Sequence, residues 1–138
     1  MNRLEIEAKK RIEEEVRSLF NRHNQTNAKK SVLSVGRKGT SHEFDLHDSG
    51  KVIGGITTSP WKNRTGSYNT GGQDRASTEL LWLTLWEGNE NRVMILTNKE
   101  MADRLFERWQ GCLFPHQIKI IHYDESKRLF DKKVSVLG

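Results

Sequence analysis

The chain has 138 residues, of which 34% are hydrophobic and 30% are charged, and its formal net charge at pH 7 is +5. This length is sufficient for one domain with its own hydrophobic core. No apolar run approaches the roughly 20 residues that a membrane-spanning helix needs, and the charged start MNRLEIEAKK is unlike a signal peptide. The sequence therefore predicts a single cytoplasmic domain over residues 1–138 with no membrane partner.

The cysteine content excludes some kinds of site, and the net charge favours one class of partner. Cys112 is the only cysteine, which excludes an intramolecular disulfide and a thiolate metal cluster, and we expect its thiol to be buried and inert. The positive net charge favours a polyanionic partner such as nucleic acid, most simply DNA. The basic residues form two groups, Lys29, Lys30, Arg37 and Lys38 in the first, and Lys51, Lys62, Arg64 and Arg75 in the second.

The first half of the chain is predicted to be a helix followed by a strand meander. Apolar residues at spacings of three and four predict a helix over Arg3–His23. In the second strand, alternation places Phe44 and Leu46 on one face and Asp45 and His47 on the other. The three predicted strands are Ser31–Gly36, His42–His47 and Lys51–Thr58.

The second half is predicted to alternate helices and strands. The loop Ser59–Arg75 is longer than a simple connection, and such loops are usually functional. The helix Ala76–Glu87 carries apolar residues on nearly all faces, which predicts that it is largely buried. We expect the basic tail from Lys127 at the surface. The remaining predicted elements are the strand Arg92–Thr97, the helix Asn98–Gln110 with a capping box at Thr97–Glu100, and the strand Gln117–Tyr123.

The predicted order is αβββαβαβ, an α/β fold with a mixed sheet flanked by helices. This order and the local sequence resemble the restriction-endonuclease-like, or PD-(D/E)xK nuclease, superfamily. Members of that superfamily carry an aspartate in the second strand, then a glycine and a Glu-x-Lys or Asp-x-Lys triplet in the third. In HEFDLHDSGKVIGGITTS, Asp45 matches the aspartate and Gly54 matches the glycine. The resemblance covers residues 3–123 and leaves residues 124–138 as a tail.

The triplet itself departs from the family pattern, because its positions hold Gly55, Ile56 and Thr57. In the family, the aspartate and the acid are oxygen ligands for Mg²⁺, and the lysine acts on the attacking water. Glycine supplies no ligand and threonine supplies a neutral hydroxyl, so the resemblance implies that Asp45 alone would hold the metal weakly. We therefore predict a nuclease-like domain that binds nucleic acid, with lost or impaired Mg²⁺-dependent phosphodiesterase activity.

Two alternatives stay open. The catalytic residues can have migrated, with Glu79 or Glu15 as the missing acid and Lys62 as a weak substitute cation, which would give an active Mg²⁺-dependent endonuclease. Glu79 has a simpler interpretation as a negative charge that complements the dipole at a helix N-terminus. The other alternative is a non-enzymatic interaction or inhibitor subunit, which would form a homodimer or bind a partner subunit.

Aromatic residues interleaved with cations in the long loop suit base stacking and phosphate contacts. The alternative for Trp61 is that its ring folds back on the core. His42 and His47 are expected beside Asp45, either in proton transfer or as outward polar residues. The predicted nucleic-acid contacts are Trp61, Lys62, Arg64, Arg75, Arg37 and Lys38.

Overall fold

A computed structural model describes residues 2–138 of the chain. Over that range no helix is long and apolar enough to cross a membrane. The α/β class and the order of the first eight elements agree with the prediction. The described elements are α1 (Arg3–Asn24), β1 (Lys29–Val35), β2 (Thr40–Asp48), β3 (Val52–Thr57), α2 (Thr70–Leu85), β4 (Asn91–Leu96), α3 (Lys99–Trp109), β5 (Ile118–Asp124), β6 (Leu129–Phe130) and β7 (Ser135–Leu137).

The strands form one mixed sheet of seven strands, flanked by three helices in the part of the chain that the structure describes. β1, β2 and β3 are an antiparallel meander, whereas β3, β4 and β5 are parallel neighbours. The parallel pairs need crossover connections, and α2 and α3 provide them. β6 and β7 both pair antiparallel with β5.

Side-chain alternation in β4 divides the core between the two faces of the sheet. Val93 and Ile95 pack with the apolar stripe of α1, whereas Met94 and Leu96 pack with α2 and α3. All four side chains are almost fully buried. Such a continuous apolar strand is typical of a central position with both faces covered.

A bulge in β2 changes which side chains share a face. Ser31 of β1 pairs with Phe44 and Lys29 pairs with His47, so β2 has one residue more than β1 between these pairs. Phe44 packs on the α2 side of the sheet and Leu46 on the α1 side. The prediction that they share a face was wrong, because one extra residue reverses the alternation beyond it.

The second helix begins at Thr70, well before the predicted start at Ala76. Its N-cap is Asn69, whose side chain accepts a hydrogen bond from the Gly72 amide at 3.1 Å. A Cβ at Gly72 would lie 2.3 Å from the Asn69 Nδ2 atom, so the cap packs directly on the glycine. Gly71 and Gly72, which lie within the predicted loop Ser59–Arg75, are instead part of the capped first turn of α2.

Only one face of α2 is buried. Leu80 and Leu83 are 3% and 0% exposed, but Leu81 and Leu85 are 54% and 50% exposed. The prediction of a largely buried helix was wrong, because the sheet and α3 cover one stripe and leave the opposite one open.

Two other sequence-based expectations are corrected near the C-terminus. The N-cap of α3 is Asn98, whose side chain accepts from the Met101 amide at 2.8 Å, rather than Thr97. The tail is not wholly at the surface, since β6 and β7 join the sheet and Leu137 is 1% exposed. Cys112, expected to be buried, is exposed.

Arg92 closes the C-terminal end of α2 from the neighbouring strand β4. Its guanidinium is buried, with the residue 3% exposed. It donates hydrogen bonds to the carbonyls of Leu83 at 2.8 Å, Gly88 at 3.0 Å and Glu90 at 3.2 Å, and also to that of Trp86. The carbonyls at a helix end lack partners within the helix, and Arg92 satisfies them here.

We expect Arg92→Leu to lower the free energy of unfolding by on the order of 3 kcal/mol, because several buried carbonyls lose their donor together. Urea denaturation would measure the loss. Arg64→Leu, in an exposed loop, is the matched control and should change stability by less than about 0.5 kcal/mol. A loss at Arg92 no larger than this control would contradict the structural role.

Candidate active site

A fork between β2 and β3 positions the aspartate singled out by the sequence. Pairing between the two strands ends at Leu46 and Gly54. Beyond that point the Asp45 carboxylate takes the role of a backbone carbonyl, because its Oδ2 atom accepts a hydrogen bond from the Ile56 amide at 2.8 Å. Arg17 of α1 donates from Nε to the Asp45 carbonyl at 2.9 Å. The bulge and these two bonds hold Asp45 in the fork.

An open cleft of about 450 Å³ lies at this fork and receives side chains from both layers of the fold. We call three of its residues, Glu13 of α1, Asp45 of β2 and Glu79 of α2, the carboxylate cluster. The same cleft is lined by three cationic side chains, which are Lys9, Lys30 and Arg75. Acidic and cationic side chains that line one cleft are suitable for binding a metal ion and a phosphate chain.

The Glu79 carboxylate lies beside position 55, where the superfamily pattern would have the acid of the Glu-x-Lys triplet. A Cβ built at Gly55 would lie 3.1 Å from Glu79 Oε2, so the glutamate carboxylate lies beside the missing side chain. Within the described chain, Oε2 is buried and has no hydrogen-bond partner. The interpretation of Glu79 as an N-terminal helix charge was wrong, because α2 begins at Thr70 and Glu79 lies well inside it.

Burial makes the ionised form of each carboxyl group in the carboxylate cluster costly, and the pKa of each is raised. Burial, with the nearby Asp45 charge in second place, raises the pKa of Glu79 from 4.5 to about 7. Burial and then Asp45 also raise the pKa of Glu13. Burial raises the pKa of Asp45 itself, although the Ile56 amide lowers it. A divalent cation would favour the ionised forms and relieve this cost.

We expect Glu79→Gln to stabilise the protein at about pH 8 in the presence of EDTA. Because the pKa of Glu79 is raised from 4.5 to about 7, the folded protein binds more protons than the unfolded chain between these values. The free energy of unfolding therefore falls as pH rises through that window, and the cost is fully present above it. Removing the charge should gain on the order of 1–3 kcal/mol above the window and little below it.

Urea denaturation at about pH 5 and about pH 8 would measure this difference. Glu87→Gln, at an exposed position of the adjoining segment, is the control and should show no such pH-dependent gain. A Glu79→Gln protein less stable than the wild type at the higher pH would contradict the raised pKa.

The two histidines of β2 do not behave as outward polar residues. His42 Nε2 lies 2.9 Å from Glu79 Oε1, and the ring stacks on Trp82 with centroids 4.4 Å apart. Burial lowers the pKa of His42. His47 forms a similar bond with Glu90, at 2.8 Å, but does not line the cleft. Only His42 therefore adjoins the carboxylate cluster, and the prediction that both histidines lie beside Asp45 holds for this residue alone.

The first-helix acid in the cleft is Glu13 rather than the predicted Glu15. Glu13 is 9% exposed and lines the cleft, whereas Glu15 pairs with Arg128 outside the cleft. Both flank the apolar stripe of α1, so the stripe alone does not distinguish them. Tertiary packing determines which side of the stripe faces the strand fork, and therefore which of the two glutamates lines the cleft.

Lys62 lies away from the carboxylate cluster and does not line the cleft. Its Nζ atom is 5.8 Å from the ring centroid of Tyr68, with which it also forms a β-bridge. The lysines that line the cleft are Lys9 and Lys30, and Lys30 forms an ion pair with Glu43 at 3.4 Å. The prediction of Lys62 as the substitute cation is therefore not supported by its position.

The predicted nucleic-acid contacts divide into one buried residue and several exposed cations. Trp61 is 8% exposed, and the Arg108 guanidinium lies over its ring at 5.1 Å. Trp61 thus folds back on the core, and its prediction as a base-stacking residue was wrong. Arg75 lines the cleft at the start of α2. The exposed cations farther out are Arg64, Arg37 and Lys38.

The cluster suits a hard divalent cation by its chemistry. Carboxylate oxygens are the ligands that Mg²⁺ prefers. The Oε2 atom of Glu79 is buried without a hydrogen-bond partner in the described chain, so it could coordinate a cation. Among residues 2–138, no three His, Cys, Asp or Glu side chains are already arranged as a metal-ligand set.

In comparisons with known proteins, no family model, curated protein or solved structure matches this chain. The likeness to the PD-(D/E)xK superfamily therefore rests on element order and on the residues around Asp45 and Gly54.

Proposed function

We propose that this protein is a Mg²⁺-dependent nuclease with a restriction-endonuclease-like core, in which Glu79 supplies the acid that position 55 lacks. The observation that carries the proposal is the meeting of Asp45 and Glu79 in one cleft at the strand fork. The order αβββαβαβ and the place of Asp45 in β2 support the same family.

The acidic side chains of the cleft would bind the metal ion, and its basic side chains would bind the substrate. Asp45 and Glu79, joined by Glu13, offer the carboxylate oxygens that would hold the cation. Bound Mg²⁺ would polarise the scissile phosphate and lower the pKa of an attacking water. Lys9 and Arg75, on opposite sides of the cleft, would attract and hold the phosphate chain.

An impaired nuclease that still binds nucleic acid is the second candidate. It is favoured by Thr57, which has no charge where the family has a lysine, and by the pairing of Lys30 with Glu43. Against it, three carboxyl groups besides that of Asp45 line the same cleft, those of Glu13, Glu43 and Glu79. We therefore place the active enzyme first.

The test is cleavage of plasmid, single-stranded DNA and RNA by the purified protein with Mg²⁺ or Mn²⁺. We expect breakage of at least one substrate that requires the cation and stops with EDTA. Salt-dependent binding without cleavage under any of these conditions would instead identify the impaired nuclease. Absence of both cleavage and salt-dependent binding would overturn the nucleic-acid proposals in favour of an interaction subunit.

A further inference from the structure

A glutamate that reaches a site from a helix has three side-chain torsions to fix, so something must hold its carboxylate in place. Glu79 has one oxygen engaged and one free. Oε1 lies 2.9 Å from His42 Nε2, whereas Oε2 is buried, unpartnered within the described chain and directed at the space beside Gly55. The two oxygens therefore have different tasks.

The imidazole of His42 is itself firmly held. Its ring is nearly parallel to that of Trp82, with centroids 4.4 Å apart and an interplanar angle of 7°. The ring of Phe44 meets it edge-on at 4.8 Å. The His42 side chain is 17% exposed, so few alternative rotamers are open to it.

We propose that His42 is a positioning residue, which donates a hydrogen bond from Nε2 to Glu79 Oε1 and so presents Oε2 to the divalent cation. This inference rests on the proposed function, since it concerns how the helix-borne acid serves as a ligand. The PD-(D/E)xK triplet contains no histidine, so this role lies outside the family pattern.

The chain contains a matched control for this interaction. His47 lies on the same strand, and its Nε2 atom is 2.8 Å from Oε2 of Glu90. Its ring adjoins Trp86, as that of His42 adjoins Trp82. Neither His47 nor Glu90 lines the cleft. Loss of this second bond should therefore affect stability without affecting metal binding.

The experiment compares His42→Phe, His42→Gln and His47→Phe by calorimetric titration with Mn²⁺ and by thermal melting with and without Mn²⁺. Phenylalanine keeps a ring against Trp82 but removes the donor, and glutamine keeps a donor. We expect His42→Phe to weaken Mn²⁺ binding about 10–100-fold, as for other groups that orient a metal ligand. His42→Gln should recover most of the affinity, and His47→Phe should bind Mn²⁺ like the wild type.

The results distinguish a failure of the positioning role of His42 from a failure of the proposed nuclease function. If the wild type binds Mn²⁺ and folded His42→Phe binds it equally well, His42 does not position Glu79, and the proposed nuclease stands. If His42→Gln binds as weakly as His42→Phe, or if His47→Phe is weakened as much, the specific role of the hydrogen bond is overturned. If the wild type binds no Mn²⁺, both the inference and the proposed function are wrong.

Discussion

Asp45→Asn should lower the rate of cation-dependent nucleic-acid cleavage by at least about 10³-fold, the largest effect we expect on activity. The amide oxygen of asparagine can still accept the hydrogen bond from Ile56, so the strand fork should persist. What is lost is the negative charge at the centre of the carboxylate cluster. Initial rates of plasmid breakage with saturating Mg²⁺ would measure the effect.

The matched control is Asp103→Asn, on the exposed face of α3, where the carboxylate forms a solvent-exposed ion pair with Lys99. This variant should cleave like the wild type. Retention of activity by Asp45→Asn to within about tenfold of the control would remove Asp45 from the metal site. Unfolding of Asp45→Asn would be seen by circular dichroism and would be distinct from a loss of chemistry.

Gly54→Ala should have the largest effect on stability, lowering the free energy of unfolding by at least about 3 kcal/mol or preventing folding. An added Cβ would lie 2.5 Å from both the carbonyl oxygen and a methyl group of Val93 on β4. The backbone oxygen is part of a strand that is paired with β3, so it cannot swing aside as the end of a side chain can. The two strands would have to separate where both faces of the sheet are covered.

Gly71→Ala provides the control for this substitution. An added Cβ there would meet only Arg75 Nη1, the flexible end of a side chain, at 3.3 Å. Gly71 lies in the first turn of α2, where alanine has the higher helix propensity. We expect no loss of stability in urea denaturation. Equal effects of the two alanines would show that the approach of β4 to Gly54 is not the constraint.

The sequence predicts the order of elements well where hydrophobic periodicity is strong. The helix at Arg3, the meander and the apolar strand β4 follow from spacing alone. Asp45, which the sequence singles out as the aspartate of the family pattern, lines the cleft. Gly54, which was matched only to the family glycine, is where β3 approaches Val93 closely. These features depend on local pattern, which a single sequence contains.

The details of the site depend on contacts between distant segments, which spacing does not reveal. The bulge at Asp45 reverses the faces of β2, so Phe44 and Leu46 enter different cores. The choice between Glu13 and Glu15 is made by the rotation of α1 against the sheet. Gly55 was interpreted from the sequence as the loss of a ligand, and nothing in the sequence indicated that the Glu79 carboxylate lies beside it.

Gly55 and Glu79 lie so close together that the cleft has little space for an acidic side chain at both positions. A strand acid and a helix acid would compete for one volume, since even a Cβ at position 55 approaches Glu79 Oε2 to 3.1 Å. A glutamate placed at position 55 would therefore require the Glu79 carboxylate to shift aside or to be removed. The paired substitution Gly55→Glu with Glu79→Ala would move the acid from the helix to the strand.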